Sequence, residues 1–547
     1  MTDDQFKQLV IDKIKSGSSI IWLYSTGDEE RSQFLLNQIA QNLTKLDSDQ
    51  AYNIGTWDWV NGSSWDLSEP NKDPKNALNS IQKYTETIFV FKDLSNLLNV
   101  TNNTPSTVLR RQFIDLCQQG YLNSSNNGNV IIILADTPVP HSDLKDYVDV
   151  ADVPLPGVTH MEAILQEIIE AWSFGNDTVD IDDDIAEHIV QALLGLTSAE
   201  AVRILAYASR VAKGFNTTTI EIISEEKVKF VRKIEGLTFV PNSKIMSEED
   251  IGGYAAFKSF IAKRAKAYTK HAQSIGLERP RGVAIVGLPG TGKTAVAKVV
   301  ARMLGLDLII MDMSSFLDSY VGNSEKKQRA ALATISAMPN SLVLVDEIDK
   351  LFSGTHNGSN DSGVTSHLLS TFLAWLNDRD MTDPESNRVF VAVTANRINN
   401  LPPELLRAGR FDRIFGVDLP NENERRDILA IHFRKRGINP YNYDLECVAK
   451  QTTDFSGAEL EELVITARHD AYNNATENCD NINELTADDV APDMDDLVTA
   501  AASIKPLAVL DREAVTELRK FCAERTYMVG EEINITTNGH KRRLVAS

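Results

Sequence analysis

Residues 287–294 read Gly-Leu-Pro-Gly-Thr-Gly-Lys-Thr and fit the pattern G-x-x-x-x-G-K-[ST]. The run follows the apolar segment Gly282 to Val286 and leads into a helical pattern, Ala295 to Leu304. Its glycines therefore sit at a strand-to-helix turn. Phosphate oxygens need several donors converging on one point. Gly287, Gly290 and Gly292, spaced by Pro289 and Thr291, let backbone N–H groups turn inward at the helix N-terminus, where Ala295 continues the chain. Lys293 adds a mobile positive charge for β- and γ-phosphates, and Thr294 a hydroxyl for Mg²⁺. Roughly fifty residues later, the apolar run Leu342-Val-Leu-Val ends in Asp346 and Glu347. On a parallel strand beside the first, Asp346 emerges at the metal position and Glu347 is placed to polarise a water. Two acids closing a buried strand are costly without a cation. The chemistry these types and spacings fit is hydrolysis of a nucleoside triphosphate.

The elements that must position these residues follow from the pattern around them. Apolar runs rich in Ile, Val and Phe alternate with amphipathic helical stretches, which predicts an α/β chain with a largely parallel sheet. The pattern occurs twice. In the first half the strand candidates are Ser19 to Tyr24, Ile88 to Phe91 and Val130 to Leu134, with a helix over Gln33 to Leu46. In the second half they are Gly282 to Val286, Leu308 to Met311, Leu342 to Val345 and Val389 to Val393. A faint repeat ties the halves together. Pro138 to Leu144, leading to Val150-Ala-Asp-Val-Pro-Leu-Pro156, parallels Leu401 to Leu406, leading to Val417-Asp-Leu-Pro420. Amphipathic helices follow both, over Met161 to Trp172 and Glu424 to Arg434. Between the halves, Ile222 to Glu249 reads as a charged helix ending at Gly236 and an extended linker broken by Pro241.

With these residues in place, 249 to about 474 resembles an AAA ATPase of the AAA+ superfamily. Several roles follow from that resemblance alone. Ile251 and Gly252, in Asp250-Ile-Gly-Gly253, look like the family's adenine-contacting entry segment, with Ile428 and His432 closing the base pocket from a helical lid. Asn396 falls at the residue that orients the water and reads the γ-phosphate. Arg410 and Arg413, in Arg407-Ala-Gly-Arg-Phe-Asp-Arg413, match paired arginine fingers that reach a neighbouring subunit's site. Gly457 and Ala458 stand at the second sensor position, without arginine. Tyr320 matches the aromatic residue that grips substrate in the central pore of a ring, although Asn323 replaces the usual acid after the glycine. The polar run Gly354 to Gly363 falls where the second pore loop lies.

The first half lacks this equipment. Ser25-Thr-Gly-Asp-Glu-Glu30 has no Gly-Lys-Thr, and Ile88-Phe-Val-Phe-Lys92-Asp93 puts a lysine where the metal-linked aspartate belongs. Acids near the phosphate turn repel ATP, so this half reads as a nucleotide-free copy used in assembly or partner docking. A degenerate first copy, the linker into Asp250-Ile-Gly-Gly253 and Ile348-Asp-Lys350 together look like the two-module AAA proteins of cyanobacteria and red-algal plastids catalogued as hypothetical chloroplast reading frames.

The resulting expectation is a P-loop NTPase fold, parallel sheet plus small helical lid, present twice with the first copy degenerate. Its divisions are 1–156 (degenerate AAA-like), 157–224 (lid-like), 225–250 (linker), 251–420 (ATPase) and 421–547 (lid and C-terminal extension). The expected activity is Mg²⁺-dependent ATP hydrolysis by a homo-oligomeric ring, hexameric by resemblance, coupled to remodelling or threading of a protein. The alternative is a nucleotide-gated scaffold acting through the first half. A net charge of −22 over 547 residues disfavours nucleic acid as partner and with it a nucleic-acid motor. The absence of H-E-x-x-H argues against a fused metalloprotease. Cys117, Cys447, Cys479 and Cys522 form no C-x-x-C pair, so neither zinc nor a disulfide framework is implied. No apolar run reaches the roughly 20 residues of a membrane span. Met1-Thr-Asp-Asp-Gln lacks a secretion signal. The expected location is the cytoplasm, or the plastid stroma for a plastid-encoded chain.

Overall fold

The computed structural model describes residues 3–530 other than 26–27, 46–47, 66–69, 101–102, 123–127, 138–139, 174–180, 269–270, 273–274, 317–322, 339, 353–361, 379–388, 398–403, 406, 408, 478–485 and 487–489. The chain divides into two compact units, residues 1–235 with 318–339 and 385–388, and residues 236–317 with 340–384 and 389–547.

In the first unit, β1 (Ile20–Tyr24), β2 (Asn53–Asp58), β3 (Thr87–Phe91), β4 (Val130–Ala135) and β5 (Val148–Asp152) form a parallel sheet in the order β2-β3-β4-β1-β5. Gly62–Ser63, on the outer side of β2, pairs with it antiparallel. The central strands are apolar throughout because both faces are covered. Period-two alternation sends Trp22, Phe89, Phe91 and Ile133 into one core and Leu23, Val90 and Ile132 into another. Helices Val158–Ser173, Asp183–Leu193, Ser198–Val211 and Thr217–Val231 share a separate core around Met161, Leu193, Ile204, Leu205 and Ile223.

In the second unit, β6 (Leu237–Val240), β7 (Gly282–Gly287), β8 (Asp307–Met311), β9 (Ser341–Val345), β10 (Phe390–Ala395), β11 (Arg413–Val417) and β12 (Tyr527–Met528) lie in the order β12-β11-β7-β10-β9-β8-β6. All pairs are parallel except β6 against β8. The five inner strands repeat the first sheet's order: β11-β7-β10-β9-β8 matches β5-β1-β4-β3-β2. The fold is thus a P-loop-type α/β architecture present twice. Helices Glu422–Lys435, Leu445–Gln451, Gly457–Glu477 and Met494–Ser503 form the second lid around Leu429, Phe433, Leu463, Val464 and Leu497.

The structure moves several expected boundaries. The helix expected over Gln33 to Leu46 runs Glu29–Asn42, because the Asp28 carboxylate accepts the Arg31 N–H and starts it early. The stretch 225–250 is not a linker. A helix continues to Val231, and Leu237–Val240 joins the sheet with Leu237 and Phe239 buried on one face. Residues 527–528, within the stretch 421–547 expected to be helical lid and C-terminal extension, join the sheet of the second unit. Among the described residues no helix is long and apolar enough to cross a membrane.

Candidate nucleotide site

The site is built at the C-terminal ends of β7, β9 and β10, neighbours in register through Val345↔Val393 and Ala284↔Val393. The loop after β7 takes φ +76° at Gly290 and +90° at Gly292, values open to glycine and strained for other residues. Helix Lys293–Leu304 begins at once, with Thr291 buried and its hydroxyl donating to the Leu288 carbonyl at 2.8 Å. Lys293 is 5% exposed, and its Nζ donates to the carbonyls of Gly287 and Leu288 at 2.9 and 2.7 Å. Burial pushes its ammonium down to about 8, although Asp346, Asp349 and Glu347 pull the other way. An ammonium held so dry gains strongly from a phosphate.

The Thr294 hydroxyl lies 2.8 and 2.9 Å from the two carboxylate oxygens of Asp346. Two hard oxygen donors at one point fit the coordination Mg²⁺ takes beside phosphates. Thr394, fully buried on β10, bonds Asp346 and also accepts the Glu347 N–H at 2.8 Å. Glu347 holds φ +49°, a left-handed backbone rare outside glycine, which turns its side chain out of the strand line. Asn396 Nδ2 donates to Glu347 Oε1 at 2.8 Å, and Lys350 pairs with Oε2. The Lys350 bond, then that of Asn396, holds the Glu347 carboxyl below its ordinary range against the effect of burial. Asp349, 2% exposed, accepts the N–H groups of Asn396 and Arg397, both at 3.0 Å. Sequence reasoning missed Thr394 and Asp349 as site residues. A third acid two places past Glu347 was the visible signal for Asp349.

The entry segment and lid complete the surroundings. Ile251 is buried, and Gly252 lies so close to Ile428 that a Cβ there would stand 2.8 Å from its Cγ1. Tyr254 donates its hydroxyl to the Thr291 carbonyl. A cleft lined by Ile251, Gly252, Lys258, Asp427, Ile431 and Arg434 opens between the entry segment and helix Glu422–Lys435. His432 lies 3.6 Å from Glu461, yet burial drives its imidazole down to about 4, so it is neutral at pH 7. The lid helix starting at Gly457 meets the loop directly: the Ala458 N–H donates to the Gly290 carbonyl at 2.9 Å. Pro289 is exposed and Ala295 half-buried.

Lys293, Thr294, Asp346, Glu347 and Asn396 are thus gathered at one place, with Ile251, Gly252, Ile428, Gly457 and Ala458 around it. Arg410 and Arg413 are not among them. Arg410 Nε bonds Asn377 Oδ1 at 3.1 Å and its Nη1 the Glu404 carbonyl. Arg413 opens β11, with its guanidinium carbon 4.7 Å from the Phe260 ring centroid and 4.5 Å from that of Tyr527. Tyr320 and residues 354–361 lie outside the described residues.

The first unit carries the same scaffold with its charges exchanged. Lys92 follows β3 as Asp346 follows β9, and it pairs with Glu29, which opens its helix as Lys293 opens the other. The next residue, Asp93, has φ +57°, matching Glu347. Asp28, 4% exposed, spans two helix N-termini by accepting the N–H of Arg31 at 3.1 Å and of Ser198 at 2.6 Å.

Fold and site define a P-loop nucleotide-binding protein of the AAA class. The model for the ATPase family associated with various cellular activities (AAA) matches residues 283–419. The models for the N-terminal and second domains of SpoVK-like AAA ATPases match 6–153 and 159–234. The chain belongs to the family of the AAA domain-containing protein ycf46. It is 30% identical to that protein of Pyropia yezoensis over 93% of this chain and 96% of the relative. With that of Guillardia theta it shares 31% over 93% of each. A proteasome-activating nucleotidase of Aeropyrum pernix is 34% identical over 44% of this chain and 54% of its own length.

Proposed function

We propose that the second unit hydrolyses MgATP at the interfaces of a homo-oligomeric, six-membered ring and that the ring remodels a protein substrate. The observation that carries this reading is the hydrogen-bonded group Thr294–Asp346–Thr394–Glu347–Asn396 beside buried Lys293. Lys293 and the loop amides hold the phosphates, and Gly252, Ile428 and neutral His432 close on the base. Thr294 and Asp346 would hold Mg²⁺, which when bound offsets charge building on the terminal phosphates. Glu347, kept ionised by Lys350 and Asn396, orients and polarises a water through its carboxylate oxygens as the general base. Arg410 and Arg413 serve a neighbour's site, Tyr320 the pore, and the similarity to a proteasome-activating nucleotidase supports a protein as the object worked on. The exchanged pair Glu29–Lys92 supports a docking role for the first unit without turnover there.

Glu347→Gln tests the reading. It retains ATP binding in calorimetry while turnover falls roughly 10²- to 10⁴-fold, the range for losing a positioned general base. Turnover equal to wild type would place the base elsewhere. An unfolded protein stimulates wild-type turnover, and Tyr320→Ala removes the stimulation. A scaffold responds to neither.

A further inference from the structure

The reading of Arg413 as a finger leaves open what holds it. We infer that Tyr527, on the C-terminal strand, and Phe260, on helix Ala255–Ala265, are positioning residues for the Arg413 guanidinium, so that residues 512–530 form part of the active site their subunit offers to a neighbour. The inference rests on the proposed trans role of Arg413.

The strand is firmly built onto the ATPase sheet. β12 pairs with β11 in the register Phe415↔Tyr527 and Gly416↔Met528. Val529 donates to the Gly416 carbonyl at 3.2 Å, its own carbonyl accepts the Phe257 N–H at 3.3 Å, and its side chain enters the main core at 6% exposure. Helix Arg512–Arg525 is tied down by Arg519 to Asp418 at 2.9 Å. It lies so near β11 that a Cβ on Gly416 would stand 2.6 Å from Cys522 Sγ. Amid this fixed backbone Tyr527 remains 48% exposed.

Arg413 and Phe415 are two apart on β11 and share a face, which puts Tyr527 diagonally across from Arg413, within reach for a ring and a long side chain. Contact through a ring face consumes none of the five in-plane N–H donors of a guanidinium. Among the described residues no hydrogen bond or ion pair engages those donors. The contacts therefore restrict the side chain's rotamers and leave its donor edge available to an oxyanion. A salt bridge to a carboxylate would restrain the arginine as well, but would occupy the edge.

The test is steady-state ATPase of the full chain with Tyr527→Leu, Tyr527→Phe and Arg413→Ala, singly and combined. Tyr527→Leu keeps apolar bulk and loses the π face. Its kcat falls roughly 3- to 30-fold, as expected for losing a cation–π contact, while ATP affinity, melting temperature and particle size stay as in wild type. Tyr527→Phe restores kcat to within about twofold of wild type. In the Arg413→Ala background, Tyr527→Leu has no further effect. Phe260→Leu gives a second reading of the same coupling from another element. Wild-type kcat in Tyr527→Leu, with Arg413→Ala inactive, overturns the positioning role and leaves the finger intact. An equal fall in both backgrounds overturns it too, since the strand then acts only as structure. An active Arg413→Ala ends the finger reading and this inference with it.

Discussion

Glu347 and Asp93 occupy equivalent places after equivalent strands, and both adopt a left-handed backbone that favours glycine. Such strain persists only where the surroundings impose it. Around Glu347 the surroundings are Thr394, Asn396 and Lys350. Lys293, Thr294, Asp346 and Glu347 were legible in the sequence because one contiguous loop and one strand end carry them. Thr394 and Asp349 were not, since their roles come from hydrogen bonds across neighbouring strands, and a buried threonine or third acid has no distinguishing spacing. His432 was placed by resemblance, and its environment adds a titration. Its folded value of about 4 lies below the roughly 6.5 of an unfolded histidine. The unfolded chain thus takes up the proton first, and this contribution to stability is whole above about pH 6.5 and lost as pH falls toward 4. Thermal melts of wild type and His432→Gln between pH 7 and 4.5 should show their difference moving against wild type as pH drops. A constant difference would mean that the imidazole protonates freely in the fold.

Among the elements, one side chain joins two helix N-termini of the first unit. The Asp28 carboxylate caps helix Glu29–Asn42 and also meets the first N–H of helix Ser198–Val211, adding negative charge at both positive helix ends. In the second unit the matching lid helix meets the loop through Ala458 and Gly290 instead. Asp28→Ala leaves two buried N–H groups without their acceptor and should cost about 2 kcal/mol, from roughly 1 for each lost cap. Hydrogen exchange at Ser198 should quicken along with it. Unchanged exchange there would mean that the lid is held by its apolar core alone. The strands β1, β3, β4, β7, β8, β9 and β10 were readable as apolar runs between turn signals. β2, β5, β6 and β11 were not. Asn53–Asp58 and Val148–Asp152 mix polar and apolar residues, and Leu237–Val240 and Arg413–Val417 sit beside prolines or charges that suggest a loop. Their partners in the sheet make them strands, and those partners are far away in sequence.

At the scale of the whole molecule, the proposed site would be completed by a second chain. It holds a loop lysine, the pair proposed for Mg²⁺, a carboxylate and its amide partner, but of the two arginines expected to meet the terminal phosphate Arg410 is hydrogen-bonded to Asn377 and Arg413 lies against the rings of Phe260 and Tyr527. If Arg413 serves a neighbour, ATP touches two subunits at once, and a ligand that binds only the assembled state favours assembly by mass action. The chain should then be smaller without nucleotide and form closed rings with a non-hydrolysable analogue, which light scattering measures directly. Arg413→Ala should lose turnover by roughly 10³- to 10⁵-fold, the span for an arginine finger, while each subunit still binds ATP. Lys293→Ala should lose binding at its own loop yet keep an intact finger. Mixed together, the two variants place some intact loops opposite intact fingers, so turnover should return to a fraction set by random pairing. A mixture that co-assembles, as shown by crosslinking, and stays as inactive as either parent would mean that each site is completed within its own chain.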